Sequence, residues 1–434
     1  MQTHFTPAQL EDPRISASER ILRTCVHCGF CTATCPTFVL TGDELDSPRG
    51  RIYLIKDMLE NDRPADEVTA LHVDRCLTCL SCMTTCPSGV DYMHLVDHAR
   101  VHIARTYRRP AGDRYVRKML AMVLPHPGRF RLALAAARLG SPFAGLLGSM
   151  GETGKRLAGM LVLAPKALPK RVGPKPGTVT MAEGVCRSRV ALLSGCAQSV
   201  LDPGINAATT RLLARVGVEV VLPRGEGCCG ALVQHMGEEE DARDFARRNV
   251  DAWMKEIDGD GLDAIVITAS GCGTTIKDYG HLLADDPEYA DRAARVASLA
   301  MDISEYLGSL SLPEPSVKSG LRVAYHSACS LQHGQKVREL PQRLLGAAGF
   351  EVMNVPESHL CCGSAGTYNI LQPKFADRLK ARKVRNIESL TPDVIAAGNI
   401  GCMTQIGSGT AVPVVHTAEL LDWAYGGDKP AALG

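Results

Sequence analysis

The chain has 434 residues, with 48 Lys and Arg against 47 Asp and Glu and a formal net charge of +1. That length suits two or three domains, and 45% hydrophobic with 22% charged residues excludes a disordered chain. The balanced charge and an aromatic content of 5% argue against a nucleic-acid-binding surface, so no nucleic-acid partner is expected.

Seventeen cysteines set the chemistry. The opening run, residues 1–15, has neither the basic nor the apolar region of a secretion signal. A cytoplasmic, reducing setting is therefore expected. There, grouped cysteines point to metal or redox chemistry rather than to a disulfide framework.

In chain order, the first hundred residues read as helical. Ser47 suits a helix N-cap and Pro48 the first helical position, and Ile52, Ile55, Met58 and Leu59 recur at helical spacing. The same region holds two motifs of one spacing, Cys25-x2-Cys28-x2-Cys31-x3-Cys35-Pro36 and Cys76-x2-Cys79-x2-Cys82-x3-Cys86-Pro87. Cysteines at successive three-residue steps can wrap three corners of a cubane cluster. The fourth, set apart by a longer step and a proline, reaches a different cluster. The spacing predicts one [4Fe–4S] cluster on Cys25, Cys28, Cys31 and Cys86, and another on Cys76, Cys79, Cys82 and Cys35. Zinc needs tetrahedral thiolate pairs, which a duplicated run of four fits poorly. Clusters that share ligands in this way lie close together and suit one-electron transfer rather than substrate activation.

Residues 100–175 carry 16 Lys and Arg against Asp113 and Glu152, so a chain of net +1 has +14 here and −13 elsewhere. We read this as a basic helical connector that docks on an anionic membrane face or an acidic partner surface. Residues 132–151 are the best candidate for a membrane span, but Arg138, Pro142 and Gly140, Gly145, Gly148 and Gly151 interrupt them. A pair of short helices is expected instead. The proline-rich run 166–177 reads as an extended linker.

The remainder contains an internal repeat. Cys196 is followed 32 positions later by Cys228-Cys229-Gly230, and Cys329 by Cys361-Cys362-Gly363 at the same interval. Gly271-Cys272 and Gly401-Cys402 then provide a third landmark. Strand-like runs at 189–193, 218–222 and 263–269 match 321–325, 350–355 and 393–397, with helix-like runs between them. This is β/α alternation, with the cysteines at strand ends, where open sheets place their sites. The expected architecture is multidomain: an α-helical ferredoxin-like domain (1–100), the basic helical connector (101–184), and two α/β Cys-Cys-Gly repeats (185–312 and 319–427).

Two readings stand for Cys196, Cys228, Cys229 and Cys272, and for Cys329, Cys361, Cys362 and Cys402: further metal or redox centres, or buried unmetallated thiols. The second repeat adds His326, His333 and His359, where the first has Leu193, Val200 and Glu226. Such histidines are structural, or they serve as ligands and proton carriers that turn this repeat towards the final acceptor. Cys186 lies outside every set and reads as a free thiol. Neither a G-x-G-x-x-G turn between strand and helix nor a P-loop is present, so flavin or nicotinamide binding by this chain is not supported.

The whole arrangement resembles the iron–sulfur subunits of flavin-dependent 2-hydroxyacid and glycerol-3-phosphate dehydrogenases. The runs Cys25-Val26-His27-Cys28-Gly29-Phe30-Cys31-Thr32-Ala33-Thr34-Cys35-Pro36, Gly42-Asp43-Glu44-Leu45-Asp46-Ser47-Pro48-Arg49-Gly50-Arg51 and Cys361-Cys362-Gly363-Ser364-Ala365-Gly366-Thr367-Tyr368 look most like the glycolate oxidase branch. The resemblance implies FAD-containing partner subunits that oxidise glycolate to glyoxylate. It also implies delivery of electrons to a membrane quinone by a peripheral protein on the inner face of the membrane. The equivalent subunit for glycerol 3-phosphate or lactate is the alternative within this class. A heterodisulfide-reductase-like catalyst is the alternative outside it. Such reductases carry a fifth cysteine where this chain has Thr275 and Gln405, which counts against that chemistry. The segment before Cys329 also departs from the family's His-x-Pro-Cys, reading His326-Ser327-Ala328-Cys329.

Overall fold

The computed structural model describes residues 1–165 and 167–434. The linker expected at 166–177 begins at Lys166, outside the described residues. Its remainder runs without helix or strand.

The first hundred residues are short helices separated by cysteine-bearing turns, as the spacing suggests. Pro7, Pro13, Pro36 and Pro48 each open a helix, where a missing N–H costs nothing. Ser47 caps the helix Pro48–Glu60 by accepting the Gly50 N–H at 2.9 Å. Ile52, Ile55, Met58 and Leu59 bury one face of that helix against Leu22, Val73, Leu95 and Ile103. The last of these belongs to the long helix Tyr92–Thr106, which closes the unit.

The connector follows as helices Ala111–Val123, Pro127–Gly140, Ala144–Gly148 and Gly151–Leu163. The stretch 132–151 is broken by a 3₁₀ turn at Ser141–Phe143. Among the described residues no helix is long and apolar enough to cross a membrane.

Two sheets make up the rest. The first runs in the order β1 (Val179–Thr180), β3 (Val218–Val221), β2 (Ser188–Leu192), β4 (Ala264–Ile267), β5 (Ala300–Asp302). All its pairs are parallel except β1 with β3. The second runs β7 (Glu351–Asn354), β6 (Arg322–His326), β8 (Val394–Ala397), β9 (Val414–His416), all parallel. The repeat in sequence is therefore a repeat in strand order. The strands β1, β5 and β9 escape sequence reading because two or three residues show no periodicity.

The two sheets share one core. Leu212 and Leu213, Ile303 and Leu307, Leu344 and Leu345, and Leu420 and Leu421 come from four helices and fill the layer between Val190 of one sheet and Val323 of the other. Asp422, fully buried, accepts hydrogen bonds from Arg211 (2.6 Å) and Arg215 (3.0 Å) and ties the repeats together across that layer. The outer faces are separate: Trp253 and Tyr279 cover the first sheet, Val384 and Ile406 the second.

The helical unit is latched to the first repeat through His94. Its ring lies 2.5 Å from Asp91 and 3.0 Å from Asp278, and stacks on His281 at a centroid distance of 3.6 Å. Burial disfavours the imidazolium, but Asp278 and Asp91 more than offset it and raise the pKa to about 10. A raised histidine pKa contributes stability that is complete below the ordinary value of 6.5 and is lost as pH rises through about 10. We expect the thermal midpoint to fall across that interval, and His94→Gln to flatten the decline. Parallel pH profiles for the two proteins would remove His94 as the cause.

Candidate metal centres

Each N-terminal motif is curled by backbone in the left-handed region. His27 and Gly29 have φ of 55° and 86° in the first motif, and Thr78 and Leu80 have φ of 50° and 60° at the matching places of the second. Such turns are strained for residues with a Cβ, and they bring sulfurs three residues apart to one side of the chain. At Gly29 the constraint is the backbone: with φ of 86° a side chain would be strained there, while the nearest atom to an added Cβ is the movable tip of Arg49.

Two cavities result. One is lined by Cys25, Cys28, Cys31 and Cys86, with Cys82 also on its wall. The other is lined by Cys76, Cys79, Cys82 and Cys35. Each thus gathers three cysteines of one motif and the fourth of the other. Pro48, Cys82 and Tyr92 belong to both linings, so the cavities are neighbours.

Burial pushes the thiols of Cys79 and Cys82 well above their ordinary range, and the neighbouring sulfurs push them further. Cys31 is raised to about 11 for the same reasons. Thiolates can coexist in such a place when bound cations neutralise them, and the donor set suits a cluster of iron and sulfide.

Sequence reading passes over the groups that hold these cysteines in place. Arg51, with 1% of its surface exposed, donates from Nε to the His72 carbonyl (2.6 Å) and from Nη2 to Thr37 Oγ1 (2.9 Å), and its Nη1 is 3.8 Å from Cys35 Sγ. Asp46 accepts from Arg75 at 3.0 Å and lies 2.8 Å from His72 Nδ1. Tyr92 donates its hydroxyl to Cys76 Sγ at 3.8 Å. An arginine four residues past a helix cap is unremarkable as a sequence. Its role exists only once the helices are assembled.

The Cys-Cys-Gly cysteines lie where strand ends meet helices. In the first repeat Cys196 meets Cys228, Cys228 meets Cys229, and Cys229 meets Cys272. In the second, Cys329 Sγ is 3.7 Å from Cys361 Sγ, and contacts continue to Cys362 and Cys402. Gly230 and Gly363, both with φ of 89°, turn the chain after each pair. A Cβ there would come within 3.0 and 2.7 Å of the carbonyls of Ala242 and Ala376.

The surroundings of the two sets differ. His326 is buried on the end of β6, and its ring lies with Cys362 and Cys402 so that the candidate ligand atoms are within 4.8 Å of one another. Among the described residues neither ring nitrogen of His326 has a hydrogen-bond partner, and burial lowers its pKa to about 3. At the matching place Leu193 is simply core. His333 is committed elsewhere: Nδ1 is 2.8 Å from Thr84 Oγ1, and Nε2 donates to the His359 carbonyl at 3.2 Å. His359 is half-buried at the turn before Leu360. Lys383, 2% exposed, is a further group near Cys361 and Cys362 that the sequence did not single out. Gln405 fills the place of an absent cysteine with a hydrogen-bonded amide, donating to the Ala376 carbonyl and accepting from Asn369. Cys186 is exposed and outside these groups.

Comparison with known proteins agrees with this geometry. A family model described as a 4Fe-4S dicluster domain matches residues 24–90, and one described as a cysteine-rich domain matches 190–277 and 323–407. The glycolate oxidase iron-sulfur subunit of Escherichia coli (strain K12) is 42% identical, with 98% of this chain and 99% of that protein aligned. This chain belongs to the glycolate oxidase iron–sulfur subunit family. A probable glycolate oxidase iron-sulfur subunit of Bacillus subtilis (strain 168) is 32% identical over 93% of this chain and 94% of its own length. The crystal structure of a hypothetical protein from Helicobacter pylori shares the fold, with a TM-score of 0.56 at 10% identity, covering 98% of this chain and 74% of that one. Within this family the chain is an iron–sulfur subunit of an oxidoreductase, and its cofactors include two [4Fe–4S] clusters.

Anaerobically purified protein is therefore expected to hold about eight iron atoms and as many acid-labile sulfides in its N-terminal unit. Zinc in their place, found by elemental analysis, would contradict this.

Proposed function

We propose that this chain is the electron-transfer subunit of a glycolate dehydrogenase. FAD-bearing partner subunits oxidise glycolate to glyoxylate, releasing two electrons and two protons, and a membrane quinone takes up both. The protein works as a peripheral component on the cytoplasmic face of the membrane. The observation that carries this reading is the pair of adjoining four-cysteine cavities, one of which abuts the thiols of the second repeat. When bound, [4Fe–4S] clusters accept and return one electron at a time.

We assign Cys25, Cys28, Cys31 and Cys86 to one cluster, and Cys76, Cys79, Cys82 and Cys35 to the other. Support comes from the lining of the two cavities. The buried Arg51, whose Nη1 is 3.8 Å from Cys35 Sγ, adds to it by holding that sulfur in place. The remaining cysteines, with His326, are candidates for a further metal or redox centre.

The second repeat is proposed to face the acceptor. Cys79 and Leu77 pack in one apolar cluster with Cys361, Tyr368 and Leu379, and Cys329 lies against it. Tyr368 donates to the Arg75 carbonyl at 3.0 Å, and Arg75 lies over the Phe375 ring at 5.1 Å. The first repeat instead presents Cys196 and Cys228 to Val116 and Leu120 of the connector. His359 is placed to pass protons at the second repeat, with His333 positioning it through its carbonyl.

Crossed ligation predicts that Cys35→Ser chiefly damages the cluster held by the second motif. Two distinguishable electron paramagnetic resonance signals should be reduced to the one that Cys28→Ser abolishes. Loss of the same signal in both variants would refute the crossing.

The function itself is tested on the complex purified with its partners. Glycolate should bleach the visible iron–sulfur absorbance within turnover time, and quinone should restore it. Bleaching by glycerol 3-phosphate or lactate in preference to glycolate would move the assignment to that substrate. Absence of a flavoprotein from the complex would end it.

A further inference from the structure

The connector carries an apolar stripe that none of the described residues covers. Leu132, Ala136, Leu139, Phe143, Leu146 and Met150 follow one another in alternating steps of four and three residues. The backbone is helical through most of this run, as Pro127–Gly140, Ser141–Phe143 and Ala144–Gly148, so this spacing places them along one side. Their exposure settles which side. Leu132 is 72% exposed, Leu139 82%, Phe143 61%, Leu146 66% and Met150 66%. The opposite side is the packed one: Phe130 and Leu134 are buried against Val200 and Leu201 of the first repeat. Large side chains in an unbroken line outside the core are a binding face rather than scattered surface residues.

Charge indicates what covers it. Between Asp113 and Glu152 there is no acidic residue, while Arg114, Arg117, Lys118, Arg129, Arg131 and Arg138 are all basic. Arg129 stands one helical turn before Leu132, on the same side. With Arg114 and Lys118 it also lines an open cleft beside the first repeat, which Glu238, Asp241 and Asp244 line as well. Arg138 is exposed next to Leu139. The rest of the molecule carries the compensating negative charge. An anionic surface therefore attracts this end and repels the others, which sets an orientation as well as an affinity. The stripe crosses a 3₁₀ turn, which interrupts the regular α-helical seam that a partner helix would need over its whole length. A lipid interface makes no such demand.

We propose that residues 129–150 are a membrane-docking element, with the Leu132–Met150 stripe entering the headgroup region of an anionic bilayer and the flanking arginines resting on lipid phosphates. The proposal rests on the membrane acceptor in the function above and names the part of the chain that reaches it.

The test is flotation of the full-length, cluster-loaded protein with phosphatidylcholine vesicles, with or without phosphatidylglycerol. Binding is expected to the anionic vesicles alone and to weaken as salt is raised. Leu139→Gln, Phe143→Gln and Leu146→Gln should each lower the partition coefficient about tenfold, the effect of withdrawing one large apolar side chain from a lipid interface. Iron content should not change, because these side chains are already in solvent. In the assembled complex, glycolate should still reduce a soluble dye through the triple variant, while reduction of vesicle-borne quinone falls. Unaltered protein that ignores anionic vesicles, or a triple variant that binds them as well, would overturn the proposal. So would a triple variant that keeps vesicle binding and loses its flavoprotein, since the stripe would then be a protein interface. Vesicle binding as described, with no glycolate-dependent reduction of any acceptor, would count against the electron-transfer reading and leave the docking element standing.

Discussion

The N-terminal unit depends on one buried cation. Arg51 sits where the end of the first cysteine motif, the turn before helix Pro48–Glu60 and the helix Glu67–Asp74 meet, and it donates to Cys35 and Thr37 at the end of the motif and to the His72 carbonyl of the last helix. A guanidinium in that position is costly unless its donors are used and its charge is answered. Asp46, wholly buried and 3.6 Å from Arg51, answers part of it and is itself held by Arg75 and His72. The consequence for Cys35 is positional. Its sulfur is brought to the far motif's cavity by a rigid network rather than by a flexible loop.

Several features of the site are written in local sequence and others are not. The four-cysteine runs, the proline after each, the Ser47 cap and the duplicated Cys-Cys-Gly spacing are local patterns, and each has a local physical cause. The expected grouping of Cys35 with Cys76, Cys79 and Cys82 also comes from spacing, because the longer step and the proline set the fourth sulfur apart from the first three. What spacing cannot show is contact between segments far apart in the chain. Tyr368 meets Arg75 across 293 positions, and His333 meets Thr84 across 249. The short strands β1, β5 and β9 are invisible for a different reason: the neighbouring strands dictate them, and their own residues do not.

The histidines show the same limit. Sequence placed His326, His333 and His359 around one thiol set as equivalents. The fold separates them, with His326 against Cys362 and Cys402, His333 spent on bridging to the helical unit, and His359 towards the surface. Sequence proximity to a cysteine fixes which strand end a residue is near. It does not fix whether the side chain turns inward.

Duplication and asymmetry are compatible here because they arise at different levels. The two repeats share strand order, glycine turns and a chain of four thiols, since those features follow from backbone geometry that both copies inherit. Their neighbours follow from how the copies are mounted on the rest of the chain. A common core locks the repeats to each other, so the helical unit and the connector must approach them from fixed sides. The second repeat receives Cys79 and Leu77, and the first receives Val116 and Leu120. Once the shared core sets the mutual orientation, two equal folds acquire unequal surroundings, and a single leucine-to-histidine difference at the end of a strand acquires chemical meaning. The excess positive charge is segregated by the same mounting. The connector that shields the first repeat's thiols on its inner face is the segment that carries basic and apolar residues outward. Insulating one repeat and presenting a basic, apolar surface therefore fall to successive helices of one connector.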